Sequence, residues 1–156
     1  MSAARILALL ALAATGGCAA PPTAPAGDPD FMSMSVAERR GEKIGAPVDV
    51  RYQYAGVVAT GRPVALQVAV VPRIEGSALR IEFPATRGVA LGGASPGAVF
   101  GKAAPASAYR HTVELTPAAD APDRIPVIVS MDVAGGRFFS VFSIPLRAQA
   151  AGAPIH

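Results

Sequence analysis

Cysteine is almost absent from this 156-residue sequence, in which Cys18 is the single example. One thiol cannot form an intramolecular disulfide, so the fold has to be stabilised by packing. The chain also has no tryptophan and no asparagine, and only 16% of its residues are charged. It does have 16 glycines and 15 prolines, a content that disfavours long helices and is typical of turn-rich β structure.

Lysine is scarce as well: the sequence has 12 arginines but only two lysines, Lys43 and Lys102. The formal net charge is +3, and the arginines are spread at nearly even intervals from Arg39 to Arg147. A nucleic-acid-binding surface needs clustered basic residues, with aromatic side chains between them if single strands are bound. The sequence contains no such cluster, so nucleic-acid binding is not expected.

The first 17 residues have the three parts of a secretory signal. Arg5 supplies a positive charge, residues 6–14 form an apolar run, and the small residues Thr15, Gly16 and Gly17 follow. The apolar run is too short to cross a bilayer as a stable anchor. Residues 1–17 are therefore predicted to be an export signal that is removed.

Thr15-Gly16-Gly17-Cys18 resembles the lipobox of bacterial lipoprotein precursors. The resemblance implies that diacylglycerol is attached to the Cys18 thiol, that the signal is cut before Cys18, and that the new amino group is acylated. Two or three acyl chains give stable membrane attachment, whereas one gives only marginal binding. Ala19 stands where the inner-membrane retention signal of this family has aspartate, which implies the outer membrane and a periplasm-facing domain.

Residues 18–45 are predicted to be a lipidated linker, because prolines and small residues dominate its first part. Within it, Ser35 and Glu38 have the spacing of a capping box, which predicts a short helix ending near Gly41. At the other end of the chain, residues 149–156 are predicted to be a disordered tail. The folded domain is expected between these segments, over residues 46–148.

Apolar residues take every second position in several segments of this domain, as in strands with one buried face. The predicted strands are 48–54, 64–70, 79–83, 109–115, 125–131 and 138–146, with shorter candidates at 88–91 and 98–100. Gly- and Pro-rich turn signals separate them, and Ala134-Gly135-Gly136 predicts a hairpin.

About seven short strands without a helical crossover predict an all-β protein, an antiparallel β-sandwich of the immunoglobulin or fibronectin type. A small barrel is the alternative. The strand pattern resembles bacterial immunoglobulin-like domains, but the paired cysteines and the tryptophan of antibody-type domains are missing. The resemblance therefore implies a fold and carries over no binding residues.

Ser95 lies in the string Gly93-Ala94-Ser95-Pro96-Gly97, which matches the G-x-S-x-G motif of serine hydrolases. That motif needs a strand-to-helix elbow, whereas Pro96 and Gly97 favour a loop. No catalytic set is predicted, and the protein is not expected to be an enzyme.

Apart from the terminal His156, four side chains are candidate soft or imidazole ligands of a copper ion: Met32, Met34, Met131 and His111. They make a periplasmic small-ligand or copper-binding protein the alternative function, although flexible apolar packing of the Met pair on the domain is the preferred explanation. The leading interpretation requires no cofactor and no metal.

The last predicted strand is apolar on both sides, because Phe139 and Val141 alternate with Phe138, Phe142 and Ile144. Such a strand is either central in the sandwich or carries an exposed patch that a partner covers. Phe139 and Val141 are therefore the candidate partner-binding residues. The sequence as a whole favours a membrane-anchored, non-catalytic module that binds an envelope protein.

Overall fold

A computed structural model describes residues 29–41, 45–93 and 95–146. The predicted signal (1–17), Cys18, the linker before residue 29 and the tail (149–156) lie outside the described residues, and those predictions stay predictions.

The described residues form one short helix and ten strands. Their bounds are α1 Pro29–Ser33, β1 Ser35–Val36, β2 Glu38–Arg40, β3 Val48–Tyr54, β4 Val64–Pro72, β5 Gly76–Glu82, β6 Val89–Gly92, β7 Gly97–Ala103, β8 Tyr109–Pro117, β9 Arg124–Val133 and β10 Gly136–Pro145. Each segment with alternating apolar residues is a strand, as predicted, but there are ten strands in place of about seven.

The strands form two antiparallel sheets of five strands each. Sheet A has the order β1-β3-β4-β8-β6, and sheet B has the order β2-β10-β9-β5-β7. The predicted all-β sandwich is confirmed in preference to the barrel. If the strands from β3 to β10, without β7, are lettered A to G in chain order, sheet A contains the order A-B-E-D and sheet B contains the order G-F-C. These are the two strand orders of an immunoglobulin constant-type domain. The additional strand β7 lies beside β5, which is strand C in this lettering.

The core lies between the two sheets, where the inward side chains of every long strand meet. In β3, buried residues alternate with more exposed ones from Val48 to Tyr52. The largest fully buried side chains are Leu66, Leu79, Ile81, Leu115, Met131 and Ile144. At the rim, the Tyr54 hydroxyl donates a hydrogen bond to the Pro145 carbonyl oxygen at 3.0 Å and so joins sheet A to sheet B.

The helix predicted from Ser35 to Gly41 is wrong, because this segment forms β1 and β2. Between these strands Ala37 is 5% exposed, and its N–H donates to the Val50 carbonyl at 3.0 Å. Hydrogen-bond partners on β3 and β10 outweigh the local helix signal. The only helix in the described residues is earlier, at Pro29–Ser33.

The segment from β1 to β2 therefore crosses from sheet A to sheet B, and the sheets include residues that the sequence assigned to the linker. Arg39 fixes the crossing: its guanidinium donates to the carbonyls of Ala46 and Val48 at 3.0 and 3.2 Å. The same guanidinium lies 5.4 Å from the centre of the Phe142 ring.

Candidate interaction surface

Phe139 and Val141 lie on the outer face of sheet B. In the register of β10 they alternate with Ser140 and Phe142, which face the core and are 5% and 3% exposed. Phe139 is 65% exposed, and Val141 is half-buried. The pattern of β10 thus has one core face and one outer face, and both candidate residues are on the outer face.

Two further apolar residues share this face. Val141 is opposite Ile128 on β9, and Phe139 is in a lateral row with Ser130, Arg80 and Val99. Val99 is 60% exposed, whereas Ile128 is half-buried. We call Phe139, Val141, Ile128 and Val99 the sheet B patch.

The sequence did not identify Val99 or Ile128, because their place in the patch depends on strand pairings far apart in the chain. The register of β5 against β9 shifts between Ser77 and Arg80, where Ala78 has a φ of 47°. This bulge turns Arg80 to the outer face, between Phe139 and Val99. Alternation within β7 was the one sequence signal available for Val99. Its neighbour Phe100 packs inward on Tyr109, with ring centroids 5.1 Å apart, so Val99 faces outward.

Arginine side chains border the patch, together with the carboxylates of Asp132 and of Glu82, which lies opposite Ile128. Arg137 donates from Nε and Nη2 to the two carboxylate oxygens of Asp132 at 2.7 and 3.0 Å. This bidentate hydrogen bonding holds the pKa of Asp132 below its ordinary value. The Nε of Arg80 is buried and has no hydrogen-bond partner within the described part of the chain.

A cleft of about 580 Å³ adjoins the patch. It is lined by Arg40, Gly41, Gly45 and residues 137–141. Arg40 lies opposite Val141 in the pairing of β2 with β10. Apolar side chains beside guanidinium groups suit a protein partner that inserts an apolar side chain and places polar groups around it.

The sequence matches no known protein family and no curated protein. No helix in residues 29–41, 45–93 and 95–146 is long and apolar enough to cross a membrane.

Ser95 lies in the loop before β7, so a strand and not a helix follows it. Its hydroxyl oxygen accepts a hydrogen bond from the Gly97 N–H at 3.3 Å. His111 is not bonded to it through Nε2, because that nitrogen is buried and has no hydrogen-bond partner among the described residues. The loop predicted at Ser95 is confirmed, and the elbow geometry of the hydrolase motif is not formed.

The four candidate copper ligands do not converge. Met32 is 65% exposed, while Met34 is buried and its sulfur accepts a hydrogen bond from Arg110 at 3.5 Å on the outer side of sheet A. Met131 is fully buried in the core, from sheet B. Met34 and Met131 are thus on opposite sides of sheet A. Across the residues that the structure describes, no group of three or more His, Cys, Asp or Glu side chains is placed to hold a metal ion.

Proposed function

We propose that this protein is a lipid-anchored module of the bacterial cell envelope that binds a protein partner, without catalysis, through the sheet B patch. The observation that carries the proposal is the exposure of Phe139 and Val99, 65% and 60%, on one face of a sheet whose other face is the core. Phe139 and Val99 stand on either side of Ser130 and Arg80 in one lateral row, and several exposed apolar side chains on one face of a small domain mark an interaction surface.

The anchor in this proposal rests on the first 18 residues. The apolar run, the small residues before Cys18 and the single cysteine match what lipid attachment requires. Ala19 supports the outer membrane, with the domain facing the periplasm. The described domain then acts as a binding unit held near that membrane.

The partner can be captured from detergent-solubilised membranes, after mild crosslinking, with full-length protein that carries a C-terminal tag. We expect a stoichiometric protein partner with the unmodified chain, and its loss with Phe139→Ser combined with Val141→Ser. Val57→Ser is the matched control, because Val57 is 77% exposed and does not belong to the patch. Equal capture by all three proteins would show that the patch is not the binding site.

Stability must be measured as well, for the capture variants and for single substitutions on the two faces of β10, because an unfolded domain also loses its partner. Phe139→Ser removes an exposed ring, so the free energy of unfolding should change by no more than about 0.5 kcal/mol. Phe142→Ser removes a ring that is 3% exposed and should cost at least about 3 kcal/mol. A loss at Phe139 as large as that at Phe142 would place its ring in the core.

A Cys18→Ser variant tests the anchor separately. We expect this variant to lose the diacylglycerol modification, measured by mass spectrometry of the intact protein, and to leave the membrane fraction. Absence of the diacylglycerol mass from the unmodified chain would remove the lipid anchor from the proposal and leave the patch to be tested on its own.

A further inference from the structure

We infer that the outer side of sheet A, where α1 and β1 carry Met32 and Val36, lies against the lipid surface that holds Cys18. The sheet B patch then faces the aqueous phase. This inference rests on the proposed lipid anchor and adds an orientation to it.

The chain enters the domain at a fixed place on sheet A. Arg51 Nη1 donates to the carbonyl oxygens of Met32 and Met34 at 2.9 and 3.1 Å, and its guanidinium lies 5.0 Å from the centre of the Phe31 ring. The Met34 side chain is 3% exposed, and its sulfur accepts a hydrogen bond from Arg110. These contacts hold α1 on the outer face of sheet A.

The same segment exposes two apolar side chains. Met32 is 65% exposed and Val36 is 68% exposed. Val36 pairs with Arg51 in the register of β1 against β3, so it lies on the outer side of sheet A. Apolar side chains at the point of attachment gain by entering the headgroup region of a bilayer.

The length of the tether makes this contact effective. Ten residues, 19–28, separate Cys18 from Pro29, and such a chain reaches at most about 40 Å when fully extended. Tethering at this distance gives an effective concentration on the order of millimolar, so a weak apolar contact is sufficient.

The sheet B patch is on the opposite side of the sandwich. Packed sheets are about 10 Å apart, and side chains extend beyond both outer faces. If the patch faced the lipid, the tether would have to run from α1 round the edge of the sandwich. Lipid contact through Met32 and Val36 needs no such path and leaves the patch open to a protein.

The chain has no tryptophan, so one introduced tryptophan reports on one position. Val36→Trp and Phe139→Trp form a matched pair of exposed sites on opposite faces, and Met32→Trp is a second reporter on the α1 side. Each full-length lipidated variant is reconstituted in vesicles of phosphatidylethanolamine and phosphatidylglycerol with acyl chains brominated near the headgroup. We expect bromine to reduce the fluorescence of Val36→Trp and Met32→Trp, with a shift of their emission to shorter wavelength, and to leave Phe139→Trp unchanged.

Stronger quenching of Phe139→Trp than of the other two, or no quenching at all in lipidated protein, would overturn the orientation and leave the anchor in place. Lipidation is established first, by mass spectrometry and by flotation of the protein with the vesicles. A chain that is not lipidated and does not float would overturn the anchor and, with it, this orientation. Thermal unfolding of each variant shows whether the tryptophan has altered the fold.

Discussion

His111 is the histidine within the described residues, and it lies in an apolar setting. It shares the inner face of sheet A with Val68 and Tyr52, and its ring centroid is 6.1 Å from that of Phe83. Its Nε2 is buried and has no hydrogen-bond partner within the residues described. A buried nitrogen that has lost its water without gaining a protein partner destabilises the folded state.

His111→Leu should therefore raise the free energy of unfolding, by about 1 kcal/mol, since it removes the unsatisfied nitrogen at similar volume. Urea denaturation of the two proteins at neutral pH measures the difference. A decrease of similar size in the free energy of unfolding would mean that the contact of the His111 ring with Phe83 stabilises the fold by more than the unsatisfied nitrogen destabilises it.

At the level of elements, the β9–β10 hairpin is the best-defined unit around the patch. Its turn has Gly135 and Gly136 at φ of 108° and 145°, values that L side chains rarely adopt. Just beyond the turn, Asp132 and Arg137 face each other in register and form the bidentate ion pair. The pair thus closes the hairpin on the side that carries Phe139.

The Asp132 pair predicts a pH dependence with a definite sign. Hydrogen bonding to Arg137 lowers the pKa of Asp132 in the folded state. The pair therefore stabilises the hairpin fully at pH values above 3.8, the ordinary pKa of the carboxyl group. That contribution is lost as the pH falls through the lower, folded-state value. Both groups are exposed, so the effect on overall stability is small.

Arg137→Gln should return the pKa of Asp132 toward its ordinary value, measured by NMR titration of its carboxyl carbon. Arg73→Gln is the matched control, because Arg73 forms the equivalent pair with Asp49. If the Asp132 titration is the same in both variants, the ion pair is not what lowers its pKa.

The sequence predicted the long strands because a period of two is imposed locally by one buried face, and β3 has the predicted bounds. It did not predict β1 and β2. Glu38–Arg40 has no alternation, and its pairing depends on β10, far along the chain. For the same reason Phe139 and Val141 could be identified from β10 alone, while Val99 and Arg80 join them only through the pairings of β5.

On the scale of the whole molecule, the segment from Ser35 to Arg40 belongs to both sheets. It adds β1 to sheet A and β2 to sheet B, and it buries Ala37 at the crossing. On the outer side of sheet B, Glu38 of β2 forms an ion pair with Arg124 of β9 across β10. Ser143 of β10 lies opposite Glu38 and is 2% exposed. The sandwich is closed along this edge by residues that precede its first long strand.

A chain that begins at residue 46 should consequently be less stable than one that begins at residue 29. It loses the burial of Met34 and Ala37 and the Arg39 hydrogen bonds, which together contribute about 3 kcal/mol. Chemical denaturation of the two purified fragments gives the comparison. Equal midpoints would show that β1 and β2 rest on the sandwich without stabilising it.

The crossing segment also sets the path of mechanical force. In the proposed assembly, in which Cys18 is held in a membrane and a partner is held on the sheet B patch, tension enters the domain at α1 and β1. It then passes through Ala37 into β2, whose three residues pair with the strand that carries Phe139 and Val141. The two short antiparallel pairings, of β1 with β3 and of β2 with β10, therefore bear the force before the long strands do. Under load this edge would peel away first and lengthen the tether, while β3 to β10 kept their packing and the partner stayed bound.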